Sequence, residues 1–556
     1  YALHTRQIGL RQVQQQAEGP RPSFQIVCCI DDREESFRRH LEELDPNCQT
    51  FGSAGFFAVP MYYRGAADAH FVPLCPIILQ PQHYVVEEVR SEATESHDRR
   101  ARARRVLGKQ AHALHTGSRS FLGGWGMAVF GPLATLPLVA RVLFPRATAG
   151  LRRTAGRMFT PPVETELTLE RAGGAPGKEP GQLGFTVSEM ADSVERLLRD
   201  IGLIRNFSQV VIVCGHGSAS LNNPHESAYN CGACGGGRGG PNARAVCAMA
   251  NDPRVRALLR ERGLNLPDDT WFVGAFHNTC DDSVRYSDTE RIPLAVQEVF
   301  EGVQKLIDRA RPLNAHERCR RFVSAELSMS PTAALRHVET RAEDLSQTRP
   351  EYNHATNAVC TVARRARTRG LFLDRRSFLV SYDPTQDTAE QAILARTLGA
   401  VIPVCGGINL EYYFSRVDVA GYGCGSKLPH NVTSLLGVMD GAASDLRTGL
   451  SAQMVEIHDP VRLLFVIETR PEHFLSIMQR NPVIRRLCGN GWVQVATLSP
   501  DSDEIHLLEG EHFVRYTGEL SELPRVRHSV EWYRGWRGNL GFAQVSGGLV
   551  PGVSFP

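Results

Sequence analysis

The chain has 556 residues, with Lys+Arg 62 against Asp+Glu 60 and a formal net charge of +2. That balance excludes a protein built to hold nucleic acid, which needs a strong cationic excess, and the length exceeds one ordinary core, so two or three domains are expected. Fourteen cysteines, several beside His, Asp and Gly, point to metal-binding thiolates in a reducing cytoplasm rather than to a disulfide scaffold.

The first residue is Tyr1 rather than Met, which leaves room for an upstream portion. Ser23 to Ile30 is apolar and β-branched without alternation, the pattern of a strand covered on both faces of a parallel sheet. It runs into Cys29-Ile30-Asp31-Asp32-Arg33, and a helix is expected from Glu34 to Leu44. Arg99, Arg100, Arg102, Arg104 and Arg105 then mark a solvated helix with a cationic face. Ser120 to Ala140 carries no charge but is interrupted by Gly123, Gly124, Gly126, Gly131, Pro132 and Pro137. It reads as a buried or partner-facing helical hairpin rather than a membrane span.

Gly173 to Gly181 is turn chemistry and marks an exposed loop. Thr186 and Glu189 form a capping box ahead of Met190, Val194, Leu197 and Leu198, so a helix follows. The strand Ser208 to Val213 leads to Cys214-Gly215-His216-Gly217, Asn222-Asn223-Pro224-His225 and Cys231-Gly232-Ala233-Cys234. The glycines Gly235 to Gly240 precede a helix beginning near Asn242, where free amides can hold a small anion such as bicarbonate, or make a plain turn. Trp271 to Phe276 is another strand, ending at His277. Repeated strand, helix and strand predict an α/β fold: a Rossmann-like, mostly parallel sheet over residues 1–330 with ligands beyond its carboxyl edge, and an apolar and basic insertion at about 98–160. After Pro331 an α+β domain over 331–556 is expected, with strands at Ser377–Tyr382, Ala400–Val404, Arg462–Ile467, Trp492–Leu498 and Ile505–Leu508 and a helix from Glu472 to Leu487.

Zinc accepts thiolate, imidazole and carboxylate in a tetrahedral shell, and Cys29, Asp31, His216 and Cys231 can supply all four positions. Arg33 can pair with Asp31 and draw it off the metal, opening a position for water. Taken singly, Cys28 and Cys29 read as small buried hydrophobes, Cys231 to Cys234 as a structural knuckle or redox pair, and His216, His225 and His277 as core histidines. The Asp and Arg following the first Cys are what those readings leave unexplained. His225, Cys234 and Asp32 stand as substitutes in the ligand set.

At these residues the sequence resembles the DabA family, the zinc-binding subunit of DAB inorganic carbon transporters, whose site is similar to that of β-carbonic anhydrases. The resemblance rests on Cys29-Ile-Asp31-Asp-Arg33, Asn222-Asn-Pro-His225, Cys231-Gly-Ala-Cys234-Gly-Gly with Asn242-Ala-Arg244, and Ile408-Asn-Leu-Glu-Tyr-Tyr-Phe-Ser415 with His430-Asn-Val432. It implies Zn2+ held by Cys29, Asp31, His216 and Cys231, with Asp31 and Arg33 as the catalytic pair. It also implies a peripheral position on the cytoplasmic face of the inner membrane. The partner is an antiporter-like, DabB-type membrane subunit, coupled to hydration of CO2 to bicarbonate. Fourteen residues separate His216 from Cys231, unlike the His-x-x-Cys of ordinary β-carbonic anhydrases, which speaks against free, reversible anhydrase activity. A free-standing anhydrase and a non-enzymatic scaffold with a structural zinc are the competing expectations.

Overall fold

The computed structural model describes residues 19–159, 164–219, 226–344, 347, 349–426, 449–518 and 522–547. Strand β1 (Gln25–Cys29) is buried along its whole length, as its unbroken apolar run requires. Helix α1 (Arg33–Leu44) carries the chain to β2 (Gln49–Ser53), which lies parallel to β1. A small sheet follows, of β3 (Met61–Arg64), β4 (Val72–Leu74), β5 (His83–Val89) and β6 (Thr165–Thr168) in the order β4-β3-β5-β6. Between β5 and β6 the chain makes three helices, α2 (Thr94–Gly117), α3 (Phe121–Leu143) and α4 (Pro145–Phe159). The uncharged stretch is one helical run bent by 42° between Leu133 and Thr135, and it is not buried: most of its large apolar side chains are exposed, so of the two expectations only a partner-facing segment stands.

Helix α5 (Val187–Asp200) starts at the expected capping box, with Thr186 Oγ1 accepting from the Glu189 amide and the Glu189 carboxylate accepting from the Thr186 amide. Strand β7 (Val210–Gly217) runs four residues beyond the expected end, so His216 lies inside it. Helix α6 (Gly240–Asn251), β8 (Trp271–Asn278), β9 (Ser283–Tyr286), α7 (Leu294–Cys319) and α8 (Pro331–Glu343) follow. The first sheet has the order β2-β1-β7-β8-β9, parallel except for β9. Its chain leaves β1 toward β2 on one side and returns as β7 on the other, so the β1/β7 edge is a topological switch point.

The C-terminal region holds β10 (Val359–Ala363), β11 (Leu371–Phe372), β12 (Ser377–Ser381), α9 (Ala392–Val417), β13 (Leu464–Glu468), α10 (Pro471–Arg480), α11 (Pro482–Gly489), β14 (Gln494–Leu498), β15 (Ile505–Glu509) and β16 (His512–Arg515). The sheet β12-β10-β13-β14-β15-β16 is parallel over its first four strands, with an antiparallel hairpin at one edge. The whole is thus a mixed α/β protein, and this region is more parallel than the expected α+β arrangement. Ala400–Val404 is not a strand: it lies within α9, whose Leu394, Leu398, Val401, Ile402 and Cys405 are buried. A five-residue apolar run fits either period, and the flanking residues at helical spacing decide it. The helix expected over Glu472–Leu487 breaks before Pro482, where the Asn481 side chain accepts from the amides of Val483 and Ile484.

One apolar core joins the two large sheets, including Val27, Cys29 and Val211 of the first and Cys360, Phe378 and Ile467 of the second. The join is tight at Gly52, where a Cβ would sit 1.7 Å from the Leu379 carbonyl oxygen. The Leu379 amide donates to Ile30 O at 3.0 Å, which fixes the strand end carrying Asp31. Helix α1 is buried despite its charges, most of which are ion-paired, while Arg38 is held by Thr50 and the Leu379 carbonyl. Arg39 binds Glu35 and Glu317, both at 2.8 Å, and Arg365 binds Glu42 at 2.8 Å.

Candidate metal centre

Cys29 closes β1 and His216 lies near the end of β7, so the parallel pairing of these strands brings their carboxyl ends together at the switch point. Cys231 comes from the loop that returns to α6; its amide donates to Gly237 O and its carbonyl accepts from the amides of Cys234 and Gly236. The three side chains meet. Cys29, His216 and Cys231 offer donor atoms within 4.8 Å of one another, and all are buried. The two sulfurs are 3.8 Å apart. Both ring nitrogens of the wholly buried His216 have no hydrogen-bond partner among the described residues, a costly state for a polar ring in a core. The space between the thiols is kept by Gly55, whose Cβ would lie 2.5 Å from Cys231 Sγ and 3.1 Å from Cys29 Sγ.

Asp31 stands beside this group. Arg33 grips it in a fork, Nε to Oδ1 at 2.8 Å and Nη2 to Oδ2 at 3.0 Å, and the Arg33 amide donates to Oδ1 at 3.0 Å. Oδ2 also lies 3.4 Å from His216 Nε2 and 3.6 Å from His354 Nε2. The other ring nitrogen of His354 is 2.6 Å from Asp32 Oδ1, so Asp31, Asp32 and His354 form a second group able to hold a metal ion. Arg33 is itself held by Tyr229 O at 2.7 Å, Thr279 Oγ1 at 3.1 Å and Glu351 at 3.3 Å.

Burial alone would raise the Asp31 carboxyl, but Arg33, His354 and His216 outweigh it and hold it well below the usual range. Asp32 goes the other way: burial raises it and His354 only partly offsets that. Burial also opposes the charged form of His216, yet the Asp31 carboxylate and Cys29 raise it above the ordinary value. The Cys29 thiol is pushed well up by burial and by Cys231. Two buried thiols and an orphaned imidazole are a soft donor set that fits Zn2+, whose charge inverts this preference and stabilises thiolates.

Three of the sequence candidates, Cys29, His216 and Cys231, therefore converge; Asp31 lies beside them, Oδ2 3.4 Å from His216 Nε2, with Arg33 behind it. Cys234 is not one of the three converging donors, but its thiol neighbours that of Cys231 and lies 3.9 Å from Asn242 Oδ1. His277 is a core histidine, 2.7 Å from Glu34 and 3.4 Å from Asp282. In the glycine loop the amides of Gly235, Gly236, Gly237 and Gly239 donate to the Gly232, Cys231, Cys234 and His216 carbonyls, so these four make a tight turn and are not free to hold an anion. All fourteen cysteines are buried and none is in a disulfide. His225 and the Asn222–His225 motif lie outside the described residues, as do His430 to Val432.

A family model described as "Probable inorganic carbon transporter subunit DabA" matches residues 3–493. The chain belongs to the DabA family. It is 56% identical over 525 residues to "Probable inorganic carbon transporter subunit DabA 2" of Rhodopirellula baltica, covering 94% of this chain and 49% of that one. It is 49% identical over 537 residues to "Probable inorganic carbon transporter subunit DabA 1" of Sorangium cellulosum, covering 96% and 52%. With the DabA protein of Methylococcus capsulatus it shares 47% identity over 522 residues, covering 93% and 48%. The chain spans about half the length of these curated relatives.

The DabA segment Ile408 to Ser415 lies in α9 and supports the site from behind. Tyr412 Oη accepts from the His354 amide at 3.3 Å. Asn409 bonds Asn357 at 2.6 Å, Val461 O at 3.0 Å and the Leu463 amide at 3.0 Å. Sequence reasoning missed His354, Gly55, Thr279 and Glu351. The one signal that could have led to the His354 loop is Tyr412, inside a DabA motif, to which the sequence alone assigns no role.

Proposed function

We propose that this chain is the zinc-binding subunit of an energy-coupled inorganic carbon uptake complex. It hydrates CO2 to bicarbonate on the cytoplasmic side, through a site like that of β-carbonic anhydrases, together with a cation-translocating, antiporter-like membrane partner. The observation that carries this reading is Asp31, shared between the Arg33 fork and His216 at the edge of a dithiol and imidazole cluster. The names of the relatives as inorganic carbon transporter subunits support the uptake role.

In this reading Cys29, His216 and Cys231 hold zinc and Asp31 is the exchangeable fourth donor. Bound zinc supplies a Lewis acid that brings the ionisation of water near pH ~7. Arg33 keeps Asp31 ionised and turned away, which frees a position for substrate water. Asp31 Oδ2, between His216 Nε2 and His354 Nε2, stays ionised and would serve as a hydrogen-bond acceptor that orients a water at the site. Cation movement in the partner would act on the Arg33 grip on Asp31, and so on whether that carboxylate is available as a donor.

Burial of every donor favours this coupled form over a free-standing anhydrase, since an anion leaves such a site only when it opens. A structural zinc would leave the Arg33 fork without a task. The test pairs stopped-flow CO2 hydration by the purified chain with inorganic carbon uptake in cells that carry the membrane partner. Uptake without rapid hydration by the isolated chain, and loss of uptake in Asp31→Asn, are expected. Rapid hydration by the chain alone makes it a free anhydrase, and uptake that survives Cys29→Ala overturns the site.

A further inference from the structure

Among the described residues, no layer of protein covers helix α3. Phe121, Leu122, Trp125, Phe130, Leu133 and Leu136 are exposed by between 63% and 91%. At about 100° per residue, Phe121, Leu133 and Met127 point about 120° apart, so the apolar surface goes all round instead of forming a stripe. A stripe suits docking onto one protein surface, whereas an apolar girdle suits hydrocarbon. The charge around it agrees. Residues 99–163 contain no Asp or Glu and twelve Lys or Arg, with Arg119 before the helix and Arg141 in its last turn.

The connections decide how deep it can go. The excursion leaves from β5 and returns through β6, which are antiparallel neighbours with Val89 opposite Thr165, and the Arg90 amide donates to Glu164 O. Both ends therefore stay on one side of any bilayer. Helix α2, with Arg99, Arg100, Arg102, Arg104, Arg105 and Lys109, is too charged to make the crossing. At the far end, Arg146 and Arg152 tie α4 to Glu339 and Glu343 of α8 at 2.8 and 3.0 Å. The apolar helix is bent by 42° between its Phe121–Leu133 and Thr135–Leu143 parts, a shape for a shallow segment rather than a straight span.

We propose that α3 embeds in one leaflet of an anionic bilayer, with α2 and the arginines at its ends on the acidic headgroups. This anchor is independent of the zinc reading, because it needs neither the metal nor the membrane subunit.

The test is sedimentation of the full chain with protein-free vesicles of phosphatidylglycerol and phosphatidylethanolamine, and with vesicles of phosphatidylcholine alone. Binding to the anionic vesicles is expected, weakened by salt. It should fall by about tenfold or more in the double variant Trp125→Ser, Phe130→Ser and in the triple variant Arg102→Gln, Arg104→Gln, Arg105→Gln. A circular dichroism spectrum and thermal midpoint unchanged from the parent show that each variant is folded, and neither depends on the metal site. Equal binding to phosphatidylcholine overturns the anionic preference. Failure to bind any protein-free vesicle, with capture only by membranes holding the membrane subunit, overturns the lipid anchor and makes α3 a protein-docking helix.

Discussion

Arg33 closes on Asp31 through two nitrogens, at 2.8 and 3.0 Å, while the same carboxylate keeps Oδ2 3.4 Å from His216 Nε2. One side chain is thus claimed from both sides. A lysine at position 33 keeps the charge but cannot form the fork. In Arg33→Lys we expect retained zinc and uptake lowered by about 10- to 100-fold, read from metal content and carbon accumulation in the same cells. Wild-type uptake in this variant would remove Arg33 from the mechanism.

Gly55 matters for what it lacks. A methyl group there meets both thiols, at 2.5 Å from Cys231 Sγ and 3.1 Å from Cys29 Sγ, so Gly55→Ala should force the sulfurs apart. Zinc affinity, measured by competition with a chromogenic chelator, should drop by about 10- to 100-fold. An unchanged affinity would show that the donors do not converge at that point.

The network around His277 predicts a pH dependence of stability. Burial disfavours its charged form, but Glu34 and Asp282 outweigh that and raise it from 6.5 to about 9. The folded state therefore binds the proton more tightly than the unfolded one. The stabilisation is fully present below pH 6.5, fades as pH rises through about 9, and is on the order of 3 kcal/mol. Urea unfolding of the wild type and of His277→Gln should diverge at pH 6 and converge near pH ~10; parallel curves across that range would refute the assignment.

Glu317 accepts from Arg39 at 2.8 Å and lies 2.9 Å from His40, all three buried. Glu317→Ala removes one of the two carboxylates that grip Arg39, leaving Glu35 as the other, and takes away the carboxylate beside His40. Stranding a buried charge outright costs about 3–5 kcal/mol, so a smaller loss is expected here, read as a lower thermal midpoint with metal content per folded chain unchanged.

Much of the first sheet was legible because its strands are unbroken apolar runs and α5 carries a full capping box. Cys29, Asp31 and Arg33 were legible for another reason: they sit within five residues of one strand end, so local geometry already groups them. His354 was not, since it reaches Asp32 across more than three hundred positions through the packing of one sheet on the other, a contact set by Gly52 and Leu379 and written in no local pattern. Ala400–Val404 misled because a short apolar run has no period of its own, and α9 became evident only from Leu394, Leu398 and Cys405 around it. The exposed α3 was expected to be covered, because the sequence shows its apolar character but not which layers surround it.

The account stands most directly on the metal. Zinc content of the purified chain and of Cys231→Ala, both from zinc-replete cells, should be stoichiometric in the first and lost in the second, with the fold of the variant preserved by circular dichroism. Wild-type protein that carries no zinc, or a Cys231→Ala variant that keeps it, would contradict the site on which the proposed chemistry depends.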